Sequence, residues 1–209
     1  GNRDGEEVVQ TIGAGELASV QTLAELIKSA KIRYPLMRYE LLTASADLTK
    51  ERMDRGLTDI GLLLEPIDIE KYEFVRLKVK ERWAVIMRPD DPLASQECVR
   101  REDLSDAPLI FPMRGNVQSE LFNWFGPSFD RRNIVVTSSM STNASIMVEK
   151  GIGRSVTIEG GRPYLDRSRL VCLPLFPELR ATSVLAWKRG QPFSLAAAKF
   201  IEHIKKTLA

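Results

Sequence analysis

Apolar and polar positions along the chain switch between the two-residue period of strands and the 3.6-residue period of helices. Residues 8–16 (VVQTIGAGE) open as a strand and close in a glycine turn. Leu17, Val20, Leu23, Ala24 and Ile27 then recur at helical spacing. Tyr34-Pro35 ends that run, because a residue before proline is pushed out of the helical region. Residues 36–43 (LMRYELLT) alternate as a second strand. Residues 45–55 predict a helix with Leu48 and Met53 on its apolar face and Gly56 as its stop. Residues 57–64 (LTDIGLLL) form a continuous apolar run, suited to a strand covered on both faces. This β-α-β-α-β order with short links predicts a parallel sheet with right-handed crossovers.

The pattern restarts further along. Residues 72–88 read as one long or two short strands, followed by a turn at DDPLA (90–94) and a short helical turn around Asp103-Leu104. Strands are expected at 108–112, 133–138 and 152–158, and helices at 117–125 and 142–150, with Gly151 as a stop. Strands at 170–175 and 182–188 and a helix over 194–208 complete the chain. Leu195, Ala198, Ile201, Ile204 or Lys205, and Leu208 line one side of that last helix. No sequence repeat, coiled coil or Ser/Gly-rich linker divides the chain. The expectation is an α/β protein of two subdomains joined by strand-like crossovers near Val75 and Leu175.

Composition narrows the function classes. The 209 residues are 44% hydrophobic and 28% charged, with a net charge of only +2. That is enough chain for one core or two smaller ones. The basic pairs Arg100-Arg101, Arg131-Arg132 and Lys205-Lys206 stand among acidic residues and read as solvated surface, not as a nucleic-acid face. No apolar run approaches the ~20 residues of a membrane helix, the longest being about Ile60–Leu64. No membrane association is expected, and no secretory leader is visible; residues 1–7 read as a polar tail. Cys98 and Cys172 form neither a metal pair nor a disulfide framework, which fits a reducing cytoplasm. Cys172 in LVCLPL reads as a buried apolar residue; Cys98, in a polar stretch, leaves a redox role open.

Catalysis needs a constellation that this sequence lacks. His203 is its only histidine, near a helix end beside Glu202, and reads as a solvated or capping residue. A His/Cys metal site is therefore not expected, nor a cofactor. GAGELA lacks the third glycine of a dinucleotide fingerprint, and no nucleophile-elbow, zincin or P-loop pattern occurs. The chain is read as a binding module, not an enzyme.

A family resemblance rests on an ordered set of segments. These are IGAGE (12–16), RYP (33–35), LLTAS (41–45), RMDRGLTDIGLLLEP (52–66), WAVIMRPDDPLA (83–94), PLIFP (108–112), NASIMVEKGIG (143–153), LVCLPL (170–175) and a closing AWK before a helix. In this order they resemble the effector domain of LysR-type transcriptional regulators over nearly the whole chain. The resemblance implies two Rossmann-like subdomains, similar to type 2 periplasmic binding proteins, with residues 1–74 and 176–209 in the first and 75–175 in the second. It implies a small-molecule effector in a cleft between them. It also implies a homodimer, in which the helix at 17–30 meets the partner's helix at 117–125, with a tetramer as the alternative for the full-length protein. DNA contact would pass through an N-terminal winged helix-turn-helix that these residues do not include. The alternative is a solute-binding protein of a transport system, which shares the fold.

Effector contacts are expected at strand C-termini, where open parallel sheets hold ligands. Gly13 and Gly15 leave amides free at a helix start, a ready anion site, and Glu16 and Leu17 follow in that turn. Glu16 either complements the helix N-terminus or faces the ligand, where it would disfavour a carboxylate and favour an amine or hydroxyl. Thr43 and Ser45 cap the next helix, contact ligand, or do both. The family often has glycine where Ala44 stands. Arg114 is placed to hold a carboxylate through paired hydrogen bonds, or is a plain loop charge. Ser141, Thr142 and Asn143 open a helix, so capping competes with binding there too. Leu64, Pro112 and Met140 supply apolar walls or simply core.

Overall fold

The computed structural model describes residues 9–113 and 115–208. Arg114, one of the expected ligand contacts, lies outside the described residues. Contacts divide the chain into two units. Among the described residues, the first comprises residues 9–15, 19–80 and 182–208, and the second residues 16–18, 81–113 and 115–181. The sequence pattern put the crossings near residues 75 and 175.

The first unit starts with β1 (Val9–Ala14), α1 (Val20–Arg33), β2 (Arg38–Thr43), α2 (Ala46–Asp54) and β3 (Ile60–Leu64). β1 pairs in parallel with both β2 and β3, giving the order β2-β1-β3. All five residues of β3 are buried, as an unbroken apolar run requires of a central strand. β4 (Tyr72–Met87) is one long strand, and its first part belongs to this unit, as does most of β9 (Arg180–Lys188), which runs antiparallel to β3. α5 (Leu195–Leu208) packs with α1 and β1.

α2 lies close over the sheet because two glycines face it. A Cβ on Gly13 would stand 2.6 Å from Thr49 Cγ2, and one on Gly61 would stand 2.8 Å from Met53 Sδ. This corrects the face expected for α2: Thr49 and Met53 are buried, whereas Leu48 points out, 46% exposed. A small β-branched side chain fits above a glycine where leucine would not. Ala46, Met53, Leu63, Tyr72, Val184 and Ala186 form one core of the unit. The stripes of α1 and α5 are also rotated from expectation. α1 buries Leu23, Leu26 and Ala30 and exposes Ala24. α5 buries Ala197, Phe200, Ile201 and Ile204 and exposes Leu195 and Ala198. Burying the large Phe200 ring, edge-on to Tyr39 at 5.3 Å between centroids, sets that rotation.

The second unit repeats the same topology. β5 (Leu109–Pro112), α3 (Gly115–Phe125), β6 (Ile134–Ser138), α4 (Ser141–Glu149) and β7 (Arg154–Glu159) follow in order, with β5 parallel to both β6 and β7. β7 runs antiparallel to the second part of β4, whose other neighbour is β8 (Val171–Pro174), also antiparallel. Successive β5 side chains serve opposite layers. Ile110 joins Ile86, Ala144, Val148 and Leu170 under α4. Phe111 stacks with Phe122 and Phe129 and packs on Phe125 under α3. Gly151, with φ of 82°, ends α4 in the left-handed region that favours glycine.

Candidate functional site

In each unit the sheet's first strand sits between the second and third, so consecutive crossovers leave its C-terminal end in opposite directions. That end is where open α/β sheets hold ligands. In the second unit it gathers the start of α4, the turn after β7 and residues 16–18.

α4 begins at Ser141 with Met140 as its N-cap, and Met140 supplies no side-chain acceptor. The unmet amides at this end carry partial positive charge. Glu16 meets them: Thr142 donates to its carboxylate from the backbone N at 3.3 Å and from Oγ1 at 2.5 Å. Arg162, in the turn after β7, stands 4.0 Å from the same carboxylate. It donates through Nη1 to the Ser141 carbonyl at 2.8 Å and to Ser145 Oγ. Glu16 and Arg162 side chains are each only 18% exposed, so their attraction acts away from bulk water. The segment is fixed at two more points. Ala18 N donates to the buried Glu81 carboxylate at 2.9 Å. A Cβ on Gly161 would fall 2.2 Å from the Glu16 carbonyl, so that close approach needs glycine.

The other expected residues fall as follows. Leu17 is buried, and Gly15 is half-buried at the end of the β1 turn. Thr43 is exposed at the end of β2, and Ala44 is buried with its amide on the Ala14 carbonyl at 3.0 Å. Ser45 caps α2, its Oγ accepting from Leu48 N at 3.2 Å. Leu64 is buried at the end of β3. Pro112 is half-buried, and its carbonyl accepts from Gln118 Nε2 at 2.7 Å. Ser138 Oγ donates to the Met140 carbonyl at 2.7 Å, which holds the half-buried Met140 in place. Asn143 is exposed, and Ser141 Oγ is buried with no hydrogen-bond partner among the described residues. The structure thus joins Glu16 with Thr142 in one cluster. The same cluster contains Arg162 and Ser145, which sequence reasoning did not single out. Their signal was faint: an arginine directly after a Gly-Gly pair at a strand end.

The LysR substrate binding domain family matches residues 4–209 of this chain. The HTH-type transcriptional regulator YvbU of Bacillus subtilis is 31% identical over 206 residues, which is 93% of this chain and 66% of that protein. The Hca operon transcriptional activator HcaR of Escherichia coli is 25% identical over 205 residues, 95% of this chain and 68% of that protein. The chain therefore spans about two thirds of the length of these relatives. The effector binding domain of QuiR in complex with shikimate superposes with a TM-score of 0.78 at 15% identity, covering 96% of each chain. The regulatory domain of Synechocystis CcmR in complex with 2-PG gives 0.73 at 17%, covering 96% of this chain and 97% of that one. These structures share the periplasmic-binding-protein-like fold.

The chain belongs to the LysR substrate-binding domain family. The two curated relatives above are transcriptional regulators.

Proposed function

We propose that this chain senses a small molecule for a cytoplasmic, DNA-binding LysR-type regulator, does no catalysis itself, and works as a homodimer. Membership of the substrate-binding family supports the sensing role. Structural neighbours solved in complex with 2-PG and with shikimate support that reading. Effector contacts are drawn from Gly15, Glu16, Leu17, Thr43, Ala44, Ser45, Leu64, Pro112, Arg114, Met140, Ser141 and Asn143. In the complete regulator, effector binding shifts the population of DNA-binding geometries by its differential affinity for them.

One observation bears on the effector's chemistry. The α4 N-terminus would suit an anion, yet the Glu16 carboxylate already fills it, with Arg162 beside it. An effector reaching this cluster therefore offers hydroxyl or amine donors to Glu16, not another carboxylate. The test begins with a thermal-shift screen of polyols, amino sugars, amines and organic acids. Calorimetry of the best binder against Glu16→Gln follows. The expected result is a hydroxyl- or amine-bearing hit whose affinity falls at least tenfold in Glu16→Gln. A carboxylate that binds more tightly to Glu16→Gln would reverse the assignment of Glu16. An effector that leaves full-length protein on its operator DNA unchanged would end the sensing role.

A further inference from the structure

The second unit contains a cavity of about 390 Å³ beneath the loop that joins β7 to β8. Its floor is apolar. Ile86 and Cys172 are register partners across β4 and β8, so their side chains share one face of the sheet. Leu170 is buried beside them, and Leu165 packs over them from the loop. Its rim carries arginines. Arg162 and Arg167 both line it. Arg162 is turned toward Ser141 and Ser145. Arg167 is exposed and makes no ion pair or hydrogen bond among the described residues, and the neighbouring Asp166 carboxylate is taken by Ser168. The one acid of the lining, Glu159, is matched by Arg82 at 2.5 Å. Arg167 therefore offers guanidinium donors at the rim above an apolar floor. Cys172 reports the same environment. Burial pushes its thiol up to about 11, Glu159 adds to the rise, and Arg82, Arg162 and Arg167 oppose it.

A pocket of this size falls within the ~300–1,000 Å³ range that holds small ligands. An apolar floor with a free guanidinium at the mouth matches an amphipathic anion, because arginine grips a carboxylate with two parallel N–H donors. We propose that this cavity is a second ligand site, which takes a small aryl or short-chain carboxylate. The carboxylate meets Arg167, and the apolar body lies against Ile86, Leu165 and Cys172. This goes beyond the sensing role argued above, because the ligand class is opposite to the one Glu16 selects.

The probe is phenylacetate, with phenylacetamide as its uncharged counterpart and inorganic phosphate as an anion without an apolar body. Calorimetry on the chain is expected to show phenylacetate binding at least tenfold more tightly than either control. Saturating phenylacetate should slow alkylation of Cys172, followed by peptide mass spectrometry, at least fivefold. Arg167→Met should cost at least tenfold in phenylacetate affinity and leave thermal denaturation unchanged. Cys172→Phe, which fills the floor, should abolish binding. If that variant does not fold, Leu165→Trp fills the same space from the loop and must give the same loss. Equal binding of phenylacetamide or phosphate would overturn the proposal. So would unchanged Cys172 alkylation, or phenylacetate affinity that survives both Arg167→Met and a filling variant.

Discussion

Single residues in this protein carry weight where the chain gives them a partner far away in sequence. Asp91 accepts from Arg154 at 2.7 and 2.8 Å and from Leu93 N at 2.9 Å, so one carboxylate caps a turn and ties it to β7. Both side chains of the pair are mostly covered, 12% exposed for Asp91 and 20% for Arg154. Burial alone would raise the Asp91 carboxyl, but the Arg154 hydrogen bond, the Leu93 amide and the guanidinium charge outweigh it. They hold it below the usual carboxylate range. Its folded-state pKa is therefore depressed, so its stabilisation is complete above the unfolded value of about 3.9 and is lost as pH falls through the lower folded value. Asp91→Asn keeps an acceptor for Leu93 N but leaves Arg154 without its charge partner. The expected cost is about 2 kcal/mol at neutral pH. Urea denaturation at pH 7 and at pH 3 checks it: the gap between wild type and variant should be full at the first and reduced at the second. The sequence shows PDDPLA as a turn, but the 63 residues separating Asp91 from Arg154 hide why the second aspartate matters. Arg162 was hidden in the same way, since its partners come from residue 16 and from α4.

Elements were far more legible than their faces. The period of apolar positions located strands and helices, and the repeated β-α-β-α-β order implied parallel pairing, which β1 with β2 and β3, and β5 with β6 and β7, display. Helix rotation was not legible, because it depends on what the sheet leaves open beneath. α2 shows this best. Hydrophobicity alone chooses Leu48, but the hole above Gly13 and Gly61 fits Thr49. Gly13→Ala should therefore destabilise the fold by about 1–3 kcal/mol through overpacking against Thr49. Thr49→Ala removes the Cγ2 and Oγ1 atoms that the new Cβ would strike, leaving a contact of 3.2 Å to Thr49 Cβ. The double variant should thus recover most of the loss, with a coupling of about 1 kcal/mol or more in a double-mutant cycle by urea denaturation. Additive losses would show that the space above Gly13 is not what excludes a side chain there.

At the scale of the whole molecule, the surface of the first unit carries apolar residues that its own fold does not cover. Among the described residues β2 is its outer strand, with Tyr39 and Leu42 half-buried and its other four positions exposed. Ile32, at the end of α1, is 82% exposed, Leu36, in the turn that follows, is 74% exposed, and Leu41 on β2 is 54% exposed. A free strand edge flanked by exposed apolar side chains is a surface that proteins ordinarily cover. These three side chains supply only part of the ~1,600 Å² that a stable interface buries, so in the homodimer proposed above the second copy would also lie along α1 and the β2 edge. The resemblance to LysR-type regulators implies that the second copy would present α3 there. Ile32→Asp with Leu36→Asp places two charges in this surface without touching the buried stripe of Leu23, Leu26 and Ala30. The double variant should sediment as a monomer at concentrations where the wild type is a dimer, and its thermal unfolding should stay cooperative. A variant that remains dimeric would move the interface to another face, and a wild type that sediments only as monomer would show that this surface meets no second copy.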